Sequence, residues 1–125
     1  MIIDDYSVFR AGIRLLLERY PCFQVIGEVA TPDDLFQLLE EIRPGVIVMN
    51  LMLPIASVVS IAKKLHTHYS GIPLVILAVN ASEYAILECV IEGARGIIWK
   101  ENSPEDLKNA IETVISGERF LDVPE

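Results

Sequence analysis

Three acidic or amide side chains and one lysine follow short apolar runs in this sequence. Asp4 and Asp5 follow one run, Asn50 follows another, and Lys100 follows a third. Carboxylate and amide oxygens bind hard cations such as Mg²⁺, and an ammonium group pairs with anions. Taken singly, an acidic pair after a strand is more often a solvated turn or a helix cap, and a lysine there is usually a surface charge. A shared site requires that the fold bring these residues together.

Short β-like runs alternate with helical patterns along the chain, at the spacing of βα units in a parallel sheet. The predicted strands cover residues 1–4, 23–28, 45–49, 72–77 and 96–99. The predicted helices cover residues 7–20, 31–43, 57–68, 82–92 and 103–117. Thr31 and Ser103 each place an N-cap hydroxyl directly before a proline. Pro21 ends the first predicted helix, and Gly117 is expected to cap the last.

A five-stranded parallel sheet with a helix after every strand can be wound in the order 2-1-3-4-5. This is the doubly wound, flavodoxin-like (βα)5 α/β fold, in which ligands bind where the winding reverses, at the ends of strands one and three. Asp4, Asp5 and Asn50 would converge there, and Lys100 would reach in from the loop after strand five. Their common position at one sheet edge favours a site. A flavodoxin itself is not indicated, because residues 5–9 lack a phosphate-binding loop rich in Ser, Thr and Gly.

Composition excludes several classes of function. The 125 residues suffice for one domain with its own core, and 52% hydrophobic content suits a sheet covered on both faces. A net charge of -8 argues against direct nucleic-acid binding. No apolar run reaches the roughly 18 residues that a membrane span needs, and no signal peptide is recognisable. We expect a cytoplasmic domain without membrane contact.

The cysteines and histidines give weak signals. Cys22 and Cys89 fall in different predicted elements, without metal-like spacing, and are predicted to be reduced and mostly buried. His66 and His68 are two residues apart on a predicted helix, so they point in different directions and are predicted to be solvated. Neither pair supports a metal site or a hydrolytic triad.

Three segments of the sequence resemble the receiver domain of bacterial response regulators. They are IDDYSVFRAG at 3–12, VIVMNLMLP at 46–54 and GARGIIWK at 93–100. The resemblance runs from about residue 2 to 121 and is strongest to the NarL/FixJ class, whose receivers are joined to a LuxR-type helix-turn-helix domain. It implies a CheY-like receiver at 1–121, with the start of a linker to a C-terminal DNA-binding domain at 122–125. The implied role is transcription regulation in a two-component phosphorelay.

The resemblance assigns metal-binding roles to part of the site. Asp4 and Asp5 match the family's acidic pair, which holds Mg²⁺, and Met52 matches the position that offers a backbone carbonyl to the metal. Lys100 matches the lysine that pairs with the acceptor carboxylate or the phosphoryl group. Because Asn50 offers only a neutral carbonyl oxygen, we expect weak or absent Mg²⁺ binding. Lys100 is expected to bridge Asp5 and the Asn50 oxygen.

Three positions depart from the family pattern. Asn50 replaces the acceptor aspartate, and an amide has no oxygen anion with which to attack phosphorus. Ala78 replaces the Ser or Thr that hydrogen-bonds the phosphoryl group, and Ile97 replaces the aromatic that swings inward on activation. The joint loss favours natural divergence over an engineered block. The resemblance therefore implies a pseudo-receiver that is not an enzyme and acts through protein contacts.

Two other functions stay open at this point. The first is a stand-alone pseudo-receiver that binds a protein or a small ligand. The second is an active phosphoacceptor that uses Asp4 or Asp5 as a surrogate, although both match metal ligands and do not face Lys100 in line for transfer.

The first helix carries an apolar row, Val8, Ala11 and Leu15, beside its predicted core row. The core row comprises five residues at helical spacing, namely Phe9, Ile13, Leu16, Leu17 and Tyr20. The additional row is either the margin of a wide buried stripe or a contact surface for a homodimer shared with helix five, and the sequence leaves both open. Glu83, Glu88 and Glu92 make the predicted fourth helix acidic, and the sequence leaves open whether this face is solvated or binds a basic partner.

Overall fold

The computed structural model describes residues 1–50, 55–78, 82–99 and 102–121. Its strands are β1 Ile2–Ile3, β2 Glu28–Val29, β3 Ile47–Asn50, β4 Leu74–Ala78 and β5 Gly96–Trp99. Its helices are α1 Ser7–Glu18, α2 Pro32–Leu39, α3 Ile55–His68, α4 Glu83–Ile91 and α5 Pro104–Ile115. A helix follows every strand, as the alternating sequence pattern predicts.

The five strands form one parallel sheet in the order β2-β1-β3-β4-β5. The predicted doubly wound, CheY-like fold is therefore confirmed. Ile3 lies beside Met49, so β1 and β3 end at the same edge. Ala78 at the end of β4 lies beside Trp99 at the end of β5. The register thus gathers the carboxyl ends of four strands at one edge of the sheet.

The central strands are buried along their whole length, which explains why they are continuous apolar runs. Successive side chains of a strand point to opposite faces. Ile3 and Met49 join the core cluster under α2, α3 and α4. Ile2 and Val48 join the cluster under α1 and α5. The helices therefore cover both faces and leave the strand ends free to build a site.

The predicted helix caps are present. The Thr31 hydroxyl accepts a hydrogen bond from the Asp34 N–H at 3.2 Å. Ser103 and Asp106 form a reciprocal capping box, in which each side chain accepts from the other's backbone N–H. Gly117 adopts a φ of +95° just beyond α5, a conformation that favours glycine.

The second strand differs from its prediction. The sequence predicts a strand over residues 23–28, but β2 comprises only Glu28 and Val29. Ile2 at the start of β1 lies opposite Glu28, so residues 23–26 run beyond the beginning of β1 and have no strand beside them. A segment forms a β-strand only where it has a neighbouring strand to pair with, so an apolar pattern alone is not sufficient. The first two helices also end earlier than predicted, at Glu18 and Leu39.

The two cysteines have different environments. Cys22 is exposed, so its predicted burial is wrong: residues 19–22 form turns after α1, outside the core. Cys89 is buried on α4, as predicted, and this burial raises the pKa of its thiol to about 11. Both are free thiols. His66 and His68 are exposed, as predicted.

Candidate functional site

The candidate site lies where β1 and β3 end. Asp4 directly follows β1, and Asn50 is the last residue of β3. Both are fully buried, with 0% and 1% of their surface exposed. The Asn50 Nδ2 group donates a hydrogen bond to Asp4 Oδ2 at 3.1 Å. The fold therefore joins two of the predicted site residues directly.

Asp4 is held from several sides. Its Oδ1 atom accepts the backbone N–H of Tyr6 at 2.9 Å, while Oδ2 accepts from Asn50. Its backbone carbonyl accepts from the Arg10 Nη1 group of α1 at 2.5 Å. Within the part of the chain that the structure describes, the Asp4 carboxylate has no ion pair. Hydrogen bonds from an amide and a backbone N–H thus compensate for its burial.

The Asn50 carbonyl oxygen has no hydrogen-bond partner among the described residues, although it is buried. The orientation of the Asn50 amide is set by Asp4, because the opposite orientation would bring the amide oxygen against a carboxylate oxygen, and both atoms are acceptors. A buried acceptor without a partner costs about 1–3 kcal/mol. This oxygen is therefore the group at the site that is available to a donor or a cation.

The two acids of the pair, Asp4 and Asp5, have different environments. Asp5 is exposed, whereas Asp4 is buried. The described residues contain no group of three or more His, Cys, Asp or Glu side chains that could hold a metal ion. Met52 and Lys100 lie outside the described residues, so the expected backbone ligand and the expected lysine bridge stay predictions. What the described residues provide is two carboxylates and one amide oxygen.

Ala78 and Ile97 are both buried, with 2% of their surface exposed. Ala78 ends β4 with a methyl group, so the side chain at this position offers no hydroxyl. Ile97 lies in β5 beside Ile76, and both belong to the core cluster under α2, α3 and α4. An isoleucine packed in this cluster has no ring that could exchange between buried and exposed positions.

An arginine network on α1 was missed by the sequence reasoning. Arg10 reaches from the Asp4 carbonyl to Glu28 of β2, with its Nε atom 3.4 Å from Glu28 Oε1. Arg14, one turn later, pairs with both Glu18 and Glu28. The available signal was the four-residue spacing of Arg10, Arg14 and Glu18. The network ties α1 to the strand at the sheet edge and to the backbone of the site.

The additional apolar row of α1 is not the margin of a buried stripe. Val8 and Leu15 are 69% and 68% exposed, and Ala11 is exposed between them. Burial on α1 is confined to Ile13 and Leu17, with other members of the core row half-buried. The row therefore faces solvent in the single chain. The homodimer contact surface stays a prediction.

The fourth helix is less polar than predicted. Glu83 is exposed, and Glu88 and Glu92 are half-buried. The same helix exposes three large apolar side chains at spacings of three and four residues, namely Tyr84, Leu87 and Ile91. This apolar row was not predicted from the sequence. The i, i+3, i+7 spacing of these apolar residues was the available signal.

A family model of the response regulator receiver domain matches residues 1–112. This chain belongs to the response regulator receiver family. It is 29% identical over 121 residues to the transcriptional regulatory protein YdfI of Bacillus subtilis, covering 97% of this chain and 56% of that protein. It is 27% identical, with the same coverage, to the nitrate/nitrite response regulator NarL of Escherichia coli.

A solved structure of a response regulator is also similar to this chain. The two-component response regulator of the LuxR family from an Aurantimonas species superposes with a TM-score of 0.88 at 28% identity, covering 97% of this chain and 86% of that one. The protein is thus a receiver domain of the NarL/LuxR type. It spans 56% of the length of YdfI and of NarL. Across the described ranges, no helix has the length and apolar character that crossing a membrane requires.

Proposed function

We propose that this receiver domain regulates through protein contacts and is not phosphorylated at the family's usual position. The observation that carries the proposal is the buried hydrogen bond from Asn50 Nδ2 to Asp4 Oδ2. An amide oxygen carries no negative charge with which to attack phosphorus. The amide nitrogen, moreover, is a hydrogen-bond donor to the neighbouring acid. The side chain at the acceptor position therefore serves as a structural link between β1 and β3.

The neighbours of Asn50 support the same proposal. A phosphoryl group at this edge would meet the methyl group of Ala78 at the end of β4, which cannot donate a hydrogen bond. Ile97 is packed in the core and provides no mobile aromatic ring. The reaction and the conformational response to it would thus both lack a component. For this reason we propose that the domain signals through contacts with other proteins.

Mg²⁺ binding is proposed to be weak. Asp4, Asp5 and the free Asn50 oxygen have the chemistry of a hard-cation site, and a bound Mg²⁺ would neutralise phosphoryl oxygens there. One oxygen of Asp4 is already engaged by the Asn50 amide. Replacing an anionic acceptor by an amide also removes one negative charge from the ligand set. The residues fit the ion, but with fewer charges and a competing hydrogen bond.

The output is proposed to pass through a homodimer and a DNA-binding domain. Residues 1–121 would be the regulatory half of a longer regulator, with a linker starting at 122–125, since YdfI and NarL are almost twice the length of the match. The net charge of -8 leaves nucleic-acid contact to that other domain. The solvent-facing row Val8, Ala11 and Leu15 is the surface on which two receivers would meet.

The test is intact-mass measurement after incubation with Mg²⁺ and acetyl phosphate, beside an Asn50→Asp variant. We expect no phosphoryl adduct on the parent and a single adduct on the variant, because the variant regains an oxygen anion at the end of β3. An adduct on the parent would contradict the proposal. An adduct that disappears in an Asp5→Asn variant would identify the exposed carboxylate as a surrogate acceptor. If neither protein gains an adduct, an aspartate at position 50 is not sufficient to restore phosphorylation.

A further inference from the structure

Gly12 lies in the middle of α1, where the described part of the chain gives no reason for a glycine. Its φ is not positive, and a methyl group added at this position would contact no described atom within 4 Å. Glycine destabilises the interior of a helix relative to alanine, because it loses more conformational freedom on folding. Its advantage is that a second backbone can approach closely. Gly12 therefore marks a point at which a partner can cross α1.

Apolar side chains surround Gly12 on the exposed side of α1. Val8 and Leu15 are exposed, and Phe9 and Leu16 are half-buried. At 3.6 residues per turn, all four lie within about 60° of Gly12 around the helix axis. A shallow groove of about 360 Å³ runs along this side, and its lining includes Val8, Phe9, Gly12 and Leu16. The apolar surface of α1 is thus centred on Gly12, which leaves a gap between larger side chains.

The sequence of α1 is symmetrical in character about Gly12. Phe9 and Leu15 lie three residues before and after it, and Val8 and Leu16 lie four residues before and after it. If two copies of the helix pack antiparallel around a two-fold axis at Gly12, each residue before the axis lies beside the residue equally far after it on the other copy. Every one of these apolar side chains would then meet an apolar side chain. The helix face is therefore complementary to itself, as an isologous contact requires.

Two charged residues extend this symmetry to the ends of α1. Asp5 lies seven residues before Gly12, and Arg19 lies seven residues after it. Both side chains are exposed, and neither forms an ion pair with a described residue. Antiparallel packing would place Asp5 of one copy beside Arg19 of the other, whereas parallel packing would oppose like charges at both ends. The charges thus favour a second copy of this chain in the antiparallel orientation.

We propose that two copies of this domain pack α1 against α1, antiparallel about a two-fold axis at Gly12. This geometry refines the homodimer of the proposed function and depends on it. The four apolar side chains around Gly12 would form the centre of the contact, and an ion pair between Asp5 and Arg19 would lie at each end. Because only one helix of each copy takes part, the interface is small and the dimer is expected to depend on concentration.

Disulfide trapping tests the position of the axis. Cys22 is exposed, so every protein carries Cys22→Ser. Gly12→Cys places a thiol on the axis, where the two copies bring the same residue together. Two copies of Val8→Cys would hold their thiols about 12 Å apart along the helix, which is too far for a disulfide. The same holds for two copies of Leu16→Cys, whereas Val8→Cys and Leu16→Cys lie beside each other in a mixed pair.

The rates of disulfide formation are read by non-reducing electrophoresis and intact mass. Leu87→Cys is the matched control, since it places a thiol at an exposed position of α4. We expect Gly12→Cys to form a disulfide dimer roughly tenfold faster than this control or more, because the dimer raises the effective concentration of the two thiols. An equimolar mixture of Val8→Cys and Leu16→Cys should exceed each variant alone by a similar factor.

Gly12→Leu separates the contact from the fold. A leucine on the axis would hold the two helices apart, so self-association should weaken roughly tenfold or more in sedimentation equilibrium. Urea unfolding of the dilute variant should need the same or a higher denaturant concentration, because leucine favours a helix more than glycine does. Arg19→Glu should also weaken self-association, and adding Asp5→Lys to it should restore the association.

The outcomes distinguish this geometry from the proposed function. If sedimentation shows a dimer but Gly12→Cys is trapped no faster than Leu87→Cys, the crossing at Gly12 is wrong and the homodimer uses another surface. Faster trapping of Val8→Cys with itself than with Leu16→Cys would show parallel packing and would also overturn the geometry. A protein that stays monomeric at every concentration would remove the homodimer as well. The absence of phosphorylation is measured separately by intact mass, so none of these results affects it.

Discussion

Asn50 and Asp4 are 46 residues apart in sequence and are joined by a buried hydrogen bond of 3.1 Å between Nδ2 and Oδ2. The bond links the ends of two adjacent central strands. At this edge a receiver that accepts a phosphoryl group needs an oxygen anion. Here the same position donates a hydrogen bond to its acidic neighbour.

Replacing Asn50 by Asp should lower stability in the absence of divalent cations. Two carboxylates would then face each other at a buried strand edge, where like charges disfavour ionisation of both. We expect a loss of about 1–3 kcal/mol in the free energy of unfolding, since a hydrogen bond is replaced by a repulsive contact. Millimolar Mg²⁺ should recover more stability in the variant than in the parent. Urea denaturation with and without Mg²⁺ measures the stability loss and the recovery. If Mg²⁺ stabilises the two proteins equally, the proposal that the parent binds Mg²⁺ weakly is contradicted.

Asp4→Ala and Asp5→Ala form a matched pair of variants. Asp4→Ala leaves the buried Asn50 amide and the Tyr6 N–H without their acceptor, and we expect it to cost about 2–4 kcal/mol. Asp5 is exposed, so Asp5→Ala should change stability by about 0.5 kcal/mol or less. Thermal and urea unfolding of the two variants provide the comparison. Equal losses of stability in the two variants would show that the buried hydrogen bonds of Asp4 do not stabilise the fold.

Stability should rise with pH between about 6 and 8. The pKa of the Met1 amino group is lowered from its usual 8.0 to about 6 by burial. The unfolded chain therefore binds more protons than the folded one in this window, so the free energy of unfolding increases with pH. The penalty is full below pH 6 and is relieved above pH 8. Its size is on the order of 3 kcal/mol for a shift of this extent.

Acetylation of the amino terminus is the control for this pH dependence. It removes the titrating group, so the rise between pH 6 and 8 should disappear from urea denaturation curves. A rise of the same size in the acetylated protein would assign the dependence to another group.

Leu15→Glu tests the contact surface on α1. Leu15 is 68% exposed and lies in the row that is proposed to meet a second receiver. A charge there should weaken self-association by roughly tenfold or more, because burying it in an apolar contact is unfavourable. Leu87→Glu on α4 is the matched control, since Leu87 is 57% exposed and belongs to a different helix. Sedimentation equilibrium of both variants measures the effect, and a stronger effect of Leu87→Glu would move the contact surface to α4.

Local sequence patterns specify the order of the strands and helices, and with it the edge of the sheet on which the site lies. Alternating apolar runs and helical patterns are local properties, so all five strands and all five helices could be assigned in order. Asp4 and Asn50 could be placed at one edge because they follow neighbouring strands of the wound sheet. The caps at Thr31 and Ser103 were predictable for the same reason, since a cap depends on residues within one turn.

Which groups meet and which face solvent depends on how the whole chain packs. The bond between Asn50 and Asp4 depends on side chains 46 residues apart, whose orientation no local pattern specifies. The length of β2 depends on where β1 begins, because a strand needs a partner along its whole extent. Whether Val8 and Leu15 were core or surface depended on how α1 is rotated against the sheet. Each of these is a long-range relationship, and it is settled by packing the whole chain at once.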